Sequence, residues 1–283
     1  MNRTPDKVTT SFTYLLGIVF YNPAQEEIAR ANRYAQSGLF KKVVVYDNSA
    51  VSCQDKLLPD IDYVQPGKNN GLSVAYNKML DYATTQRFDF LCLLDQDSNF
   101  PMEEIQKMMR AIEKHAAKFT HTAVLAPRVY THRTLGQATP PRDQFTREPD
   151  VMNAGSFLNM DCVRHYGLRY DESVFLDGVD YDFCWSAYQK GCDVQVYHGA
   201  SFLQNLGYQS SKYPTFCAHS ALRYYYMARN RKYVYRKHKG FWVGTYKSYR
   251  RNLSTLYRIV RYEDARLDKA WALLKGWLGG RYD

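Results

Sequence analysis

An apolar run, Phe90-Leu-Cys-Leu-Leu94, ends directly in two carboxylates one residue apart, Asp95 and Asp97 of Asp95-Gln-Asp-Ser98. A short apolar run bounded by polar residues reads as a strand buried on both faces, the habit of a parallel sheet. The acidic pair then lies at the carboxyl end of that strand, the edge at which open α/β sheets bind ligands. Hard carboxylate oxygens there suit Mg²⁺ or Mn²⁺ held against a diphosphate, in preference to zinc. The competing reading of the same residues is a solvated turn capped by Asp97 and Ser98.

Segments on the N-terminal side supply the context. Leu15 to Tyr21 predicts a strand that stops at Asn22-Pro23, and Glu26 onward predicts a helix. Lys42 to Tyr46 predicts a second strand ending at Asp47-Asn-Ser49. A Gly/Asn loop, Gly67 to Gly71, opens a helix through Ala75, Tyr76, Met79 and Leu80, which aims backbone amides at a phosphate or sugar. Strand, helix, strand, loop, helix and acidic strand together predict an α/β fold, a Rossmann-like, mostly parallel sheet flanked by helices. The chain lacks Gly-x-Gly-x-x-Gly, which argues against a dinucleotide ligand.

Charge divides the chain of 283 residues in two. Residues 216–283 hold 16 Lys and Arg against 4 Asp and Glu, which leaves 22 against 24 for residues 1–215. We therefore expect a near-neutral domain over 1–215 and a basic, tyrosine-rich helical extension over 216–283. Within the extension Tyr246, Tyr249, Leu253, Leu256, Tyr257 and Val260 recur at helical spacing, with Lys247, Arg250, Arg251, Arg258 and Arg261 mostly between them. Such a helix fits the surface of an anionic membrane. Alternatively its apolar stripe packs on the core and leaves the basic face in water, or serves self-association in a homo-oligomer. No nucleic-acid recognition motif accompanies the basic residues, so a nucleic-acid partner is not expected. Six cysteines without a Cys-x-x-Cys pair suit free thiols in a reducing compartment and no zinc site. The apolar stretch after Thr13 is too short for a signal peptide and no run is long enough to span a membrane, so the expected location is cytoplasmic, peripheral at the inner membrane face. Arg142 to Pro149, after Pro140-Pro141, reads as a mobile loop.

The series Phe20-Tyr-Asn22, Val45-Tyr-Asp-Asn-Ser49, Asn69-Asn-Gly-Leu-Ser-Val-Ala75-Tyr-Asn77, Leu94-Asp-Gln-Asp-Ser98, Asn153-Ala-Gly-Ser156 and Phe175-Leu-Asp-Gly-Val-Asp-Tyr-Asp-Phe-Cys184 resembles family 2 glycosyltransferases of the GT-A fold. Within them the chain looks most like bacterial rhamnosyltransferases. The resemblance runs from about Tyr14 to Asn230. It implies an inverting, metal-dependent enzyme moving a sugar, with L-rhamnose from dTDP-rhamnose as the first candidate, onto a surface polysaccharide or its lipid-linked precursor. The rival donors are UDP-galactofuranose, UDP-glucose and UDP-hexosamines, and the rival class is a non-catalytic nucleotide-sugar or glycan-binding module.

Transfer from a nucleotide sugar needs a neutralised leaving diphosphate and a carboxylate to take the acceptor proton. The resemblance makes Asp97 the direct metal ligand and puts Asp95 near ribose and metal. It places Asp180 on the catalytic base through Cys184, with Asp177 next, while Asp182 reads as a helix cap before a helix over 183–190. It assigns Asn22, Asp47, Asn70, Gly71 and Gly155 to the nucleotide sugar, Asp47 doubling as the start of an Asx turn. The family's third metal contact, a His, is replaced by Gln204 in Leu203-Gln-Asn-Leu-Gly207, with His198 six residues upstream as the alternative. Arg223 and Arg229 of Arg223-Tyr-Tyr-Tyr-Met-Ala-Arg-Asn230 are candidates for phosphate contacts, since a guanidinium binds phosphate bidentately.

Overall fold

Alternation in the first strand divides its side chains between two cores. In β1 (Tyr14–Phe20), Leu16, Ile18 and Phe20 enter one cluster and Leu15 and Val19 the other. The acidic strand β4 (Phe90–Asp95) does the same with Cys92 and Leu94 against Leu91 and Leu93. A strand covered on both faces by helices has this all-apolar signature. The computed structural model describes residues 12–131, 134–137, 139–204, 207–209 and 217–280.

β2 (Lys42–Asp47) and β3 (Ile61–Val64) complete a parallel half in which the order is β3-β2-β1-β4. Helices α1 (Gln25–Gln36) and α3 (Met102–Lys114) cover one face, and α2 (Leu72–Thr85) the other. The register sets Phe20 opposite Asp47 and Val19 opposite Asp95, so three strand ends meet at one edge. Beyond β4 the sheet continues through β7 (Phe157–Asn159), β5 (Thr122–Tyr130), β8 (Asp193–Leu203) and β6 (Phe145–Arg147). β7 runs antiparallel to both β4 and β5, which makes the eight-stranded sheet mixed. The loop expected over 142–149 contains β6, paired antiparallel with Gln195–Tyr197. Phe145 explains the difference: its ring lies 4.8 Å from Phe119 and 4.7 Å from Tyr197, which anchors a segment whose flanks alone carry turn residues.

After α4 (Met160–Tyr166) and α5 (Val179–Gln189), a two-stranded sheet of β9 (Tyr208–Gln209) and β10 (Cys217–Ala218) leads into three helices, α6 (Ala221–Lys239), α7 (Phe241–Tyr262) and α8 (Arg266–Leu278). The expected division at 215/216 falls within 210–216, outside the described residues. The three helices approach each other closely. A Cβ on Gly244 would meet the Tyr235 carbonyl at 2.4 Å, and one on Gly276 the Tyr225 carbonyl at 2.1 Å.

That closeness decides which face of α7 is buried. Gly244, Ser248, Asn252, Thr255 and Ile259 point inward. Tyr246, Tyr249, Leu253, Tyr257 and Val260 are exposed, as is Trp242 at 81 %. Of the stripe, Leu256 packs against the small core of Tyr224, Ala228, Ile259 and Leu273 and the others named face outward, because small and hydrogen-bonding residues let the helix backbones come together where tyrosines would hold them apart. Among the described residues no helix is long and apolar enough to cross a membrane. All six cysteines are free, and all but Cys217 are buried.

Candidate active site

The carboxyl edge of the parallel strands and the start of α5 face one cavity of about 480 Å³, lined in part by Asp95, Asp177 and Asp180. Asp95 closes β4, and the Tyr76 hydroxyl on α2 donates to its Oδ1 at 3.0 Å. Burial, reinforced by the charge of Asp97, raises the Asp95 carboxyl to about 6 against the opposing pull of Tyr76 and Arg223. Gln204, fully buried just after β8, donates from Nε2 to Asp97 Oδ1 at 2.9 Å. Its own Oε1 is buried without a hydrogen-bond partner among the described residues. An orphaned amide oxygen beside a carboxylate is an incomplete set of hard-oxygen donors, which fits Mg²⁺ or Mn²⁺. Among the described residues no cluster of three or more His, Cys, Asp or Glu is arranged to hold a metal. His198 is not part of the set, since its Nε2 pairs with the Thr146 hydroxyl at 2.8 Å between β8 and β6.

α5 begins at Val179, four residues earlier than expected, with Gly178 in the left-handed region as its N-cap. Asp180 therefore lies in the first turn, where the helix dipole favours negative charge. Its carboxylate accepts from the Tyr181 amide at 2.9 Å. Burial dominates all the same, with the facing charges of Asp177 and Asp150 adding to it, and the carboxyl rises to about 6. Asp177 is engaged differently: Arg223 Nε lies 3.1 Å from both of its oxygens. Asp182 makes no cap. It is buried under α6, where Lys237 Nζ at 3.0 Å and His238 Nε2 at 2.7 Å meet its oxygens.

α6 thus grips the segment that carries the carboxylates. Arg223 holds Asp177, Asn230 donates to the Leu176 and Asp177 carbonyls, and Lys237 bridges Asp171 and Asp182. Arg229 donates to the Ser173 carbonyl at 3.1 Å and lies in a separate surface hollow with Phe175 and Tyr226, away from Asp180.

The residues expected around a nucleotide line the strand edge. Asn22 is exposed after β1, and its amide donates to the Ser49 hydroxyl at 2.6 Å. Asp47 is fully buried, and its oxygens accept from the Ser49 amide and hydroxyl and from the Tyr63 hydroxyl, so the Asx turn is formed. The Asn70 side chain donates to the Tyr46 hydroxyl at 3.2 Å. Gly71, at φ 83°, caps α2 beneath Phe175, where a Cβ would come within 2.6 Å of the ring. Gly155 packs on the Phe202 ring and Pro127, and its neighbours Asn153 and Ala154 reach the cavity instead. Sequence reasoning missed Tyr76 as a partner of Asp95, and the wall made by Asp150, Trp185, Arg231, Tyr235 and Arg251. No local pattern marks these residues, since each is one position on an ordinary helix or loop.

The family model described as glycosyl transferase family 2 matches residues 17–172, more than half of the chain. The chain belongs to glycosyltransferase family 2. That match contains Asp95 and Asp97 and ends before Asp177 and Asp180. The dTDP-rhamnosyl transferase RfbF of Shigella flexneri is 25 % identical over 245 residues, covering 78 % of this family 2 chain and 79 % of that protein. GalNAc-T7, solved with UDP, GalNAc and Mn²⁺, superposes with a TM-score of 0.54 at 12 % identity, covering 77 % of this chain. This chain spans about half of that structure, 47 % of it. TarS residues 1–349 of S. aureus, solved with UDP, align with a TM-score of 0.49 at 14 % identity, over 94 % of this chain and 70 % of that one. The mixed eight-stranded sheet flanked by helices is a GT-A fold.

Proposed function

We propose that this family 2 glycosyltransferase is an inverting, metal-dependent enzyme that moves L-rhamnose from dTDP-rhamnose onto a hydroxyl of a bacterial surface glycan or its lipid-linked precursor. The observation that carries the catalytic part is Asp180, a half-buried carboxylate held near pKa 6 and sharing a cavity with Asp95. Such a group is ionised at neutral pH and basic enough to accept a proton. Asp180 takes the acceptor hydroxyl proton as that oxygen bonds to the anomeric carbon, and the bond from that carbon to the diphosphate breaks on the opposite face. Asp97 and Gln204 would hold a divalent cation, which when bound neutralises charge on the leaving diphosphate. Arg223 keeps Asp177 and the turn before α5 in place. The similarity to RfbF supports dTDP-rhamnose as donor.

Thermal shift with nucleotides tests the donor. A ligand present at a hundred times its Kd stabilises the folded state by about 2.7 kcal/mol, roughly 5–10 °C for a chain of this size. We expect dTDP with Mg²⁺ or Mn²⁺ to give the largest shift among dTDP, UDP and GDP. A larger UDP shift reassigns the donor, and no shift with any nucleotide defeats the reading.

The exposed stripe of α7 supports a peripheral position on an anionic membrane. Trp242, Tyr246 and Tyr257 stand out beside exposed Lys247, Arg250 and Arg261. Each basic residue near an anionic leaflet contributes on the order of 1 kcal/mol, screened by salt. Sedimentation with phosphatidylserine vesicles should weaken sharply between low and high salt. It should also weaken when Lys247, Arg250 and Arg261 become Gln. Equal binding by the neutralised variant removes the membrane role.

A further inference from the structure

We propose that the same cavity contains a second anion subsite, formed by Arg231 of α6 and Arg251 of α7, that takes a phosphate or diphosphate carried by the acceptor. The proposal rests on the glycosyltransferase reading above and names a chemical class for the acceptor.

Both arginines line the cavity that holds Asp180, on the wall contributed by the C-terminal helices. Arg231 donates to two neutral oxygens, Asn252 Oδ1 at 2.9 Å and Thr255 Oγ1 at 3.1 Å. Among the described residues neither Arg231 nor Arg251 has a carboxylate within ion-pair distance, whereas Arg223 in the same cavity is matched by Asp177. The Arg231 guanidinium is drawn into the wall with only the more distant Asp177, already paired with Arg223, to offset its charge. Burial lowers the Arg231 pKa, against the opposing pull of Tyr181, Tyr235 and Asp177, and the positive charge of Arg251 adds to the lowering, so the two cations repel each other. A divalent anion placed against both relieves the repulsion, and the planar fork of each side chain matches phosphate oxygens.

The adjoining surface suits a sugar. Trp185 lies 5.6 Å from Tyr235 and 5.1 Å from Tyr181, and its Nε1 donates to Asp150 Oδ2 at 3.1 Å, which fixes the indole. Aromatic faces of this kind take the apolar face of a pyranose. An acceptor with its sugar on this wall and its phosphate on the arginines is held at two points, which limits which hydroxyl can reach Asp180.

Arg251 is exposed on α7 and gives the clean variant, because Arg231 also ties α6 to α7 and its loss endangers folding. Isothermal titration of the full chain, with saturating dTDP and Mg²⁺ filling the donor site, is run with inorganic pyrophosphate and with farnesyl diphosphate. The parent should bind both probes. Arg251→Gln should weaken binding at least tenfold, and Arg251→Lys should recover part of it. Arg266→Gln, a charge removed from the exposed start of α8, should change binding less than twofold. Farnesyl diphosphate binding more tightly than pyrophosphate identifies a lipid-linked source, and equal affinities identify a phosphorylated glycan. The subsite is refuted if the parent binds neither probe, or if Arg251→Gln binds like the parent. Titration with dTDP alone keeps the donor reading separate: no dTDP binding, with pyrophosphate still held through Arg251, defeats the donor assignment and leaves the subsite standing.

Discussion

Asp180→Asn is expected to lower sugar transfer about a thousandfold, the middle of the range for a positioned general base and equivalent to roughly 4 kcal/mol of lost transition-state stabilisation. Nucleotide affinity should change little, because the donor docks without that carboxylate. In the parent, kcat/KM should rise with pH through a midpoint near 6, where burial and the facing charges of Asp177 and Asp150 hold the carboxyl. The sign follows from the role, since only the ionised form accepts a proton. Stability should move the other way. The folded-state value near 6 lies above the ordinary 3.8, so the stability contributed by this group is complete below pH 3.8 and is lost as pH rises through 6. Asn removes that loss, and at pH 7 the variant should be more stable by at most about 3 kcal/mol. Calorimetry and initial rates on one preparation check both. An active Asp180→Asn beside a dead Asp177→Asn transfers the base to Asp177.

Asp97→Asn is expected to reduce turnover at least a hundredfold, about 2.7 kcal/mol, with the fold unchanged. Asn preserves the shape and the acceptor oxygen that Gln204 Nε2 meets, and removes the charge that attracts a divalent cation. EDTA should abolish transfer by the parent, and Mn²⁺ or Mg²⁺ should restore it. Near-normal rates in EDTA would show that basic side chains neutralise the leaving group instead. Gln204→Ala should raise the metal concentration needed for half-maximal rate, since it removes the buried Oε1 that lacks a partner.

Part of this arrangement is local and was therefore legible. The apolar run before Asp95 can form a buried strand, and its end has to lie at the carboxyl edge of a parallel sheet. The same holds for the strand before Asp47 and for Gly71 at the start of α2, because periodicity and turn chemistry act within a few residues. Short or exposed elements were not legible. β7 has three residues, too few for a period, and its antiparallel insertion between β4 and β5 depends on partners far away in the chain. Phe145 makes β6 a strand only because Phe119 and Tyr197 meet its ring.

The carboxylates show the same division within the site. Sequence alone determined that Asp95, Asp97, Asp177, Asp180 and Asp182 stand where chemistry at a strand edge or helix start is open to them. Only the tertiary structure decided their states: Asp177 paired with Arg223, Asp182 locked under Lys237 and His238, and Asp180 half-buried with no cation paired to it among the described residues. For α7 the periodicity determined that one face is tyrosine-rich, and the packing decided that this face is exposed. The reason is common to both. Residue spacing specifies which side chains share a face, while burial and charge pairing depend on what long-range contacts place against that face.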